Sequence, residues 1–78
     1  MPDVIFDRVQ ILTALMDGEV EAKELPKKVH LPPKEISDHL NTLTKLNILE
    51  IRKEGIDIIY SIRENKKEQV SKLLKQYR

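Results

Sequence analysis

Cysteine is absent from the 78 residues. Neither a disulfide nor a thiolate metal site can therefore supplement the core of a chain close to the lower size limit for independent folding. Histidine is scarce: His30 and His39 alone cannot complete a three- or four-ligand metal site. The two glycines, Gly18 and Gly55, stand apart, so there is no glycine-rich oxyanion loop. No apolar run approaches the roughly 18 residues of a membrane span, and "MPDVIFD" turns acidic too soon for a signal peptide. Repeats and low-complexity segments are also missing. What remains is one small domain over residues 1–78, expected to be cytoplasmic and held together by apolar packing, with help from a partner subunit.

Charge is plentiful, at 35% of residues, yet the formal net charge is only +1. The distribution says more than the total. Met1 to Pro26 holds two basic and six acidic residues, a balance of −4, whereas Lys27 to Arg78 holds twelve and seven, a balance of +5. Such asymmetry fits a polyanion-binding surface on the later part of the chain, although solvated faces of both signs would produce the same totals. Richness in Lys, Glu and Ile is the composition of hyperthermophile proteins.

The periodicity predicts a first helix over 3–17, capped by Asp3, with Ile5, Val9, Leu12 and Leu15/Met16 on its apolar stripe. Gly18 supplies a left-handed stop. After the linker "EVEA", "KELPKKV" predicts a second helix of about two turns, with Pro26 confined to its first turn. In "LPPKEISDHL" each proline forces its predecessor to extended geometry, which makes Pro33 the first residue of a third helix and Leu31 its staple. Ile36, Leu40, Leu43 and Leu46 form the buried stripe of that helix, and Asn47 ends it. "ILEIRKEGIDIIYSI" alternates as a two-stranded hairpin over 48–62 with Gly55 at its turn. Asn65 and Glu68 form a capping-box variant opening a last helix, 65–78, whose stripe is Val70, Leu73, Leu74 and Tyr77. The expected fold class is mainly α with a small β-hairpin: a helix-turn-helix over 22–47, followed by a wing and a C-terminal helix.

Ser37, Asp38 and His39 are the residue types of a hydrolase triad, but consecutive helical side chains diverge by about 100° and cannot converge on one another. Catalysis is not expected. With Ile36, Leu40 and Leu43 inward, the third helix instead exposes Lys34, Ser37, Asp38, Asn41 and Lys45. Short donors and acceptors flanked by cations suit base edges and phosphates. Asp38 and Glu35 equally serve the electrostatics of a helix start. His39 is expected at the core edge, and His30 is expected to cap the turn.

The residues Ile11-Leu12…Leu15, Gly18-Glu19, Glu24-Leu25, Ser37-Asp38-His39-Leu40, Leu43, Asn47-Ile48-Leu49, Arg52-Lys53-Glu54-Gly55 and Ile58-Ile59-Tyr60 resemble the ArsR-type winged-helix repressors, over about Arg8 to Ile62. The resemblance implies a homodimeric regulator of transcription that binds double-stranded DNA. It also implies that terminal helices build the dimer, here through Val70, Leu73, Leu74 and Tyr77. Metal-sensing relatives carry cysteines in the second helix, where Glu21 and Lys23 stand here, or carboxylate and histidine ligands in the last helix, which has no histidine. A non-metal-sensing variant with no cofactor is expected. Two further departures are Asp38 before "HL", and Ile56 where an arginine usually follows the wing glycine.

The sequence therefore predicts a DNA surface made of Lys27, Lys28, Lys34, Ser37, Asp38, Asn41, Lys45, Arg52 and Lys53. The third helix would enter the major groove, with two copies addressing half-sites on the order of 34 Å apart. The alternative is a winged-helix module that docks proteins within a larger assembly.

Overall fold

The computed structural model describes residues 4–77. In chain order the elements are α1 (Val4–Met16), β1 (Val20–Glu21), a 3-10 turn (Ala22–Glu24) running into α2 (Leu25–Lys28), and α3 (Pro33–Lys45). Then follow β2 (Leu49–Glu54), β3 (Asp57–Ile62), a second 3-10 turn (Glu64–Lys66) and α4 (Lys67–Lys75). The strands form one antiparallel sheet in the order β1-β3-β2. The architecture is that of a winged helix-turn-helix. The expected cap at Asp3 lies outside the described residues.

The boundaries of α3 follow from local chemistry. Pro32 sits at φ −60°, ψ 145°, and its carbonyl accepts the first helical bond from the Ile36 N–H at 3.1 Å. At the other end Asn47 adopts φ 61°. The Ile48 N–H reaches the Leu43 carbonyl and the Asn47 N–H the Thr44 carbonyl, both at 3.0 Å, the paired bonds of a Schellman ending. Gly55, at φ 62°, turns the hairpin between Glu54 and Asp57. Gly18 follows α1 at φ 142°.

Ile11, Leu12 and Leu15 of α1, Leu25 of α2, Ile36, Leu40 and Leu43 of α3, Leu49 of β2, Tyr60 and Ile62 of β3 and Val70 of α4 share one core. The expected stripes and caps need correction in several places. Ile5 is exposed, because the first turn of α1 overhangs the core, and the inward positions are Ile11, Leu12 and Leu15. Leu46 is also exposed. Each three-residue step from Leu40 to Leu43 to Leu46 falls about 60° short of a full turn, so the third leucine has rotated off the buried face. Ile51 and Ile58 extend past the helices toward the hairpin tip and are exposed, whereas Ile59, on the opposite face between Glu21 and Arg52, is buried. The Asn65 capping box is not formed: Lys66 occupies the N-cap, without a side-chain bond.

The second helix runs for about two turns, as expected, the first of them 3-10 and the second α. "EVEA" is more than a linker, since Val20 pairs with Tyr60 and Glu21 with Ile59, adding a third strand to the hairpin.

Candidate nucleic-acid interface

On α3 the buried residues Ile36, Leu40 and Leu43 leave Lys34, Ser37, Asp38, Asn41 and Lys45 exposed. At about 100° per residue, those five side chains fall within an arc of about 100° on the side opposite the core. The structure thus groups every α3 residue singled out from the sequence on one outward surface. The hydroxyls of Thr42 and Thr44 turn away from that role. They donate to the Asp38 and Leu40 carbonyls, at 3.1 and 2.7 Å.

His39 lies at the core edge, as expected, with Nε2 3.6 Å from an Asp7 carboxylate oxygen on α1. It diverges from Ser37 and Asp38, so the three form no triad. The exposed His30 does not cap the turn with its ring. Its backbone N–H instead donates to Gln10 Oε1 at 3.0 Å, so a side chain of α1 satisfies the turn.

The other basic residues divide into two groups. Arg52 is engaged within the chain: its guanidinium grips Glu19 at 2.6 and 3.0 Å, and its Nε donates to Glu54 at 2.9 Å. The Arg52 hydrogen bond holds the Glu19 carboxyl below its ordinary pKa, and that of Arg52 is raised by the same contact. Lys27 pairs with Glu24 at 3.5 Å, and Lys23 with Glu21 and Asp57 at 3.4 and 3.3 Å. Bonds to Asp57 and then to Glu21 raise the pKa of Lys23. Lys28, Lys34, Lys45 and Lys53 have no ion-pair partner among the described residues. The acidic first third of the chain is therefore used in part to neutralise cations of the remainder. No local pattern marks Glu19 for this, and the opposed charge balance of the two segments is its one trace in the sequence.

The residues expected at a subunit interface also separate. Val70 is buried in the domain and Leu74 packs on the same core, while Leu73 and Tyr77 of the C-terminal segment are 38% and 37% exposed. Tyr77 meets Phe6 of α1 edge-on, with ring centroids 6.0 Å apart. Ile5 and Phe6 are themselves about half exposed. Among the described residues no group of three or more His, Cys, Asp or Glu is placed to hold a metal ion, and no helix is long and apolar enough to cross a membrane.

Comparison with known proteins identifies the family and the fold. Residues 7–50, more than half of the chain, match the family described as bacterial regulatory protein, arsR family. The HTH-type transcriptional regulator KmtR of Mycobacterium tuberculosis is 34% identical over 55 residues, covering 70% of this chain and 42% of KmtR. The chain thus spans less than half the length of that curated relative. HlyU from Vibrio cholerae superposes with a TM-score of 0.79 at 29% identity, over 92% of this chain and 79% of HlyU. The homodimeric winged helix-turn-helix DNA-binding domain Mb0332 from Mycobacterium bovis, a possible ArsR-family regulator, gives 0.79 at 25% identity, over 87% of this chain and 64% of that one. The chain belongs to the ArsR family of bacterial regulatory proteins.

Proposed function

We propose that the chain acts as a homodimeric, sequence-specific regulator of transcription that binds double-stranded DNA, repressing by occlusion. The observation that carries this reading is the outward arc of α3, where Ser37, Asp38 and Asn41 lie between Lys34 and Lys45. In a major groove, Asn41 suits the adenine edge, Ser37 accepts or donates, Asp38 takes a cytosine amino group, and the lysines meet phosphates. Lys28 on α2 and Lys53 on the wing are exposed cations that would add to these phosphate contacts. Lys27 and Arg52 would join it only by exchanging carboxylate partners. Ile5, Phe6, Leu73 and Tyr77 supply an apolar face for a second copy, in keeping with the homodimeric state given for Mb0332. The same reading takes the chain as a variant that senses no metal, since it holds no cysteine and only two histidines.

One observation favours the second reading, a protein-docking winged helix. The wing flank carries Glu19, Glu50, Glu54 and Asp57, an acidic excess that works against phosphates. Titration with duplex DNA distinguishes the two. Under the DNA reading, two chains bind each duplex in sedimentation, and Asn41→Ala lowers the preference for the selected sequence over random duplex by about 1–3 kcal/mol. Absence of binding even at low salt would transfer the function to a protein partner.

A further inference from the structure

We infer that the wing contributes to DNA recognition through an apolar tip, with Ile56 acting as a wedge in the minor groove at a deformable base step. The inference rests on the DNA-binding reading above. Glu54 pairs with Asp57, so only Gly55 and Ile56 span the turn. Gly55, with its positive φ, occupies the first central position, as a tight II′ hairpin turn requires. The tip is therefore short and stiff. Ile56 is 98% exposed and adds no packing to the fold. Its β-branched side chain has few rotamers to lose on being buried elsewhere.

Single exposed isoleucines are ordinary, but contiguous exposed apolar surface marks an interaction site. Behind Ile56, the exposed Ile58 and Ile51 share one face of the hairpin, with Lys53 paired across from Ile58. The opposite face is closed to this role. There Arg52 is gripped by Glu19 and Glu54, and Lys23 holds Asp57. No arginine is at liberty to enter a groove from the wing. What the tip offers is an isoleucine ridge with one lysine set into it that has no ion-pair partner among the described residues.

That combination fits a groove walled by phosphates better than an apolar protein surface. An apolar protein surface would desolvate Lys53 without compensation. The ridge also continues from β2, on which α3 packs, so a wing flanking the docked α3 carries its tip to the adjacent groove. Apolar side chains inserted from the minor groove unstack base steps and kink the duplex, most readily at flexible pyrimidine–purine steps. Ile56 would thus confer sequence preference at a position that α3 never touches.

The test uses duplexes selected by the whole chain from a random pool, end-labelled for energy transfer. The wild-type protein should shorten the end-to-end distance, with a bend of at least roughly 20°. Replacing a pyrimidine–purine step under the wing by a stiffer one should weaken binding. Ile56→Ser, at a solvated turn position that leaves packing intact, should bind the selected duplex about tenfold more weakly, abolish the bend and lose discrimination at that step. Ile56→Leu should restore all three. Equal binding and bending by wild type and Ile56→Ser would overturn the wedge and leave the α3 reading standing. No binding of any duplex by the wild type would remove both. An Ile56→Ser change in self-association without DNA would make the tip a protein contact and overturn the wedge.

Discussion

If the chain binds DNA as proposed, the salt dependence of binding counts the cations that reach phosphates, and those without an internal carboxylate are the ones expected to do so. Lys28, Lys34, Lys45 and Lys53 are the basic residues of the helix-turn-helix and wing that lack an internal carboxylate among the described residues. Four per protomer make eight per dimer, and at about 0.9 counterion released per phosphate the slope of log K against log salt is about −7. Raising salt from roughly 50 to 200 mM should then cost about 10⁴-fold in affinity. If Lys27 and Arg52 also reached phosphates, the slope would steepen to about −11. Lys45→Ala removes two contacts per dimer and should reduce the slope by about 1.8. The double variant Glu19→Gln with Arg52→Gln removes the fork as a neutral pair and should leave the slope unchanged. Fluorescence anisotropy of a labelled duplex, repeated across a salt series, reads each value. A wild-type slope near −11, or a fork variant that loses as much slope as Lys45→Ala, would refute the division of cations drawn here. A slope shallower than about −2 would refute the phosphate track altogether.

Three further outcomes follow from the core, the helix ending and the fork. Leu43→Ala, at 1% exposure among α3, α1 and β2 partners, should lower stability in urea by about 2–5 kcal/mol, and a loss under about 1 kcal/mol would contradict its central place. Asn47→Gly should keep stability within a few tenths of a kcal/mol, whereas Asn47→Ala should lose about 1 kcal/mol at its left-handed φ, measured by thermal unfolding. The folded pKa of Glu19 is lowered, so its contribution is complete above the unfolded glutamate value of about 4.3 and disappears as pH falls through the folded value. The pair is exposed and screened, so the acid-side decline in Tm should be slightly flatter in Glu19→Gln and indistinguishable from wild type at high salt. A steeper decline in the variant would reverse the assigned sign.

Much of the scaffold was legible in the chain because its signals act over a few residues. Twin prolines set the start of α3, Asn47 and Gly55 supply backbone geometries most residues avoid, and three- and four-residue spacing selects Ile36, Leu40 and Leu43 as the inward face. The outward arc of α3 followed directly, since a helix that buries one face must expose the other. Boundaries and edges were less legible. Leu46 and Ile5 carry the right chemistry for a stripe, but whether anything lies above them depends on where neighbouring elements stop.

The remaining features are products of tertiary structure. β1 is two residues long and has no periodicity of its own; Val20 and Glu21 become a strand only because the edge of β3 stands beside them. Arg52 looks like a phosphate contact from its place on the hairpin, and becomes a strut because a carboxylate 33 residues earlier arrives within hydrogen-bonding reach. His39 meets Asp7 in the same way, across the α1–α3 packing. Hydrophobic spacing and backbone geometry are written locally, whereas charge pairing and sheet-edge completion depend on which distant segments the packed core brings together.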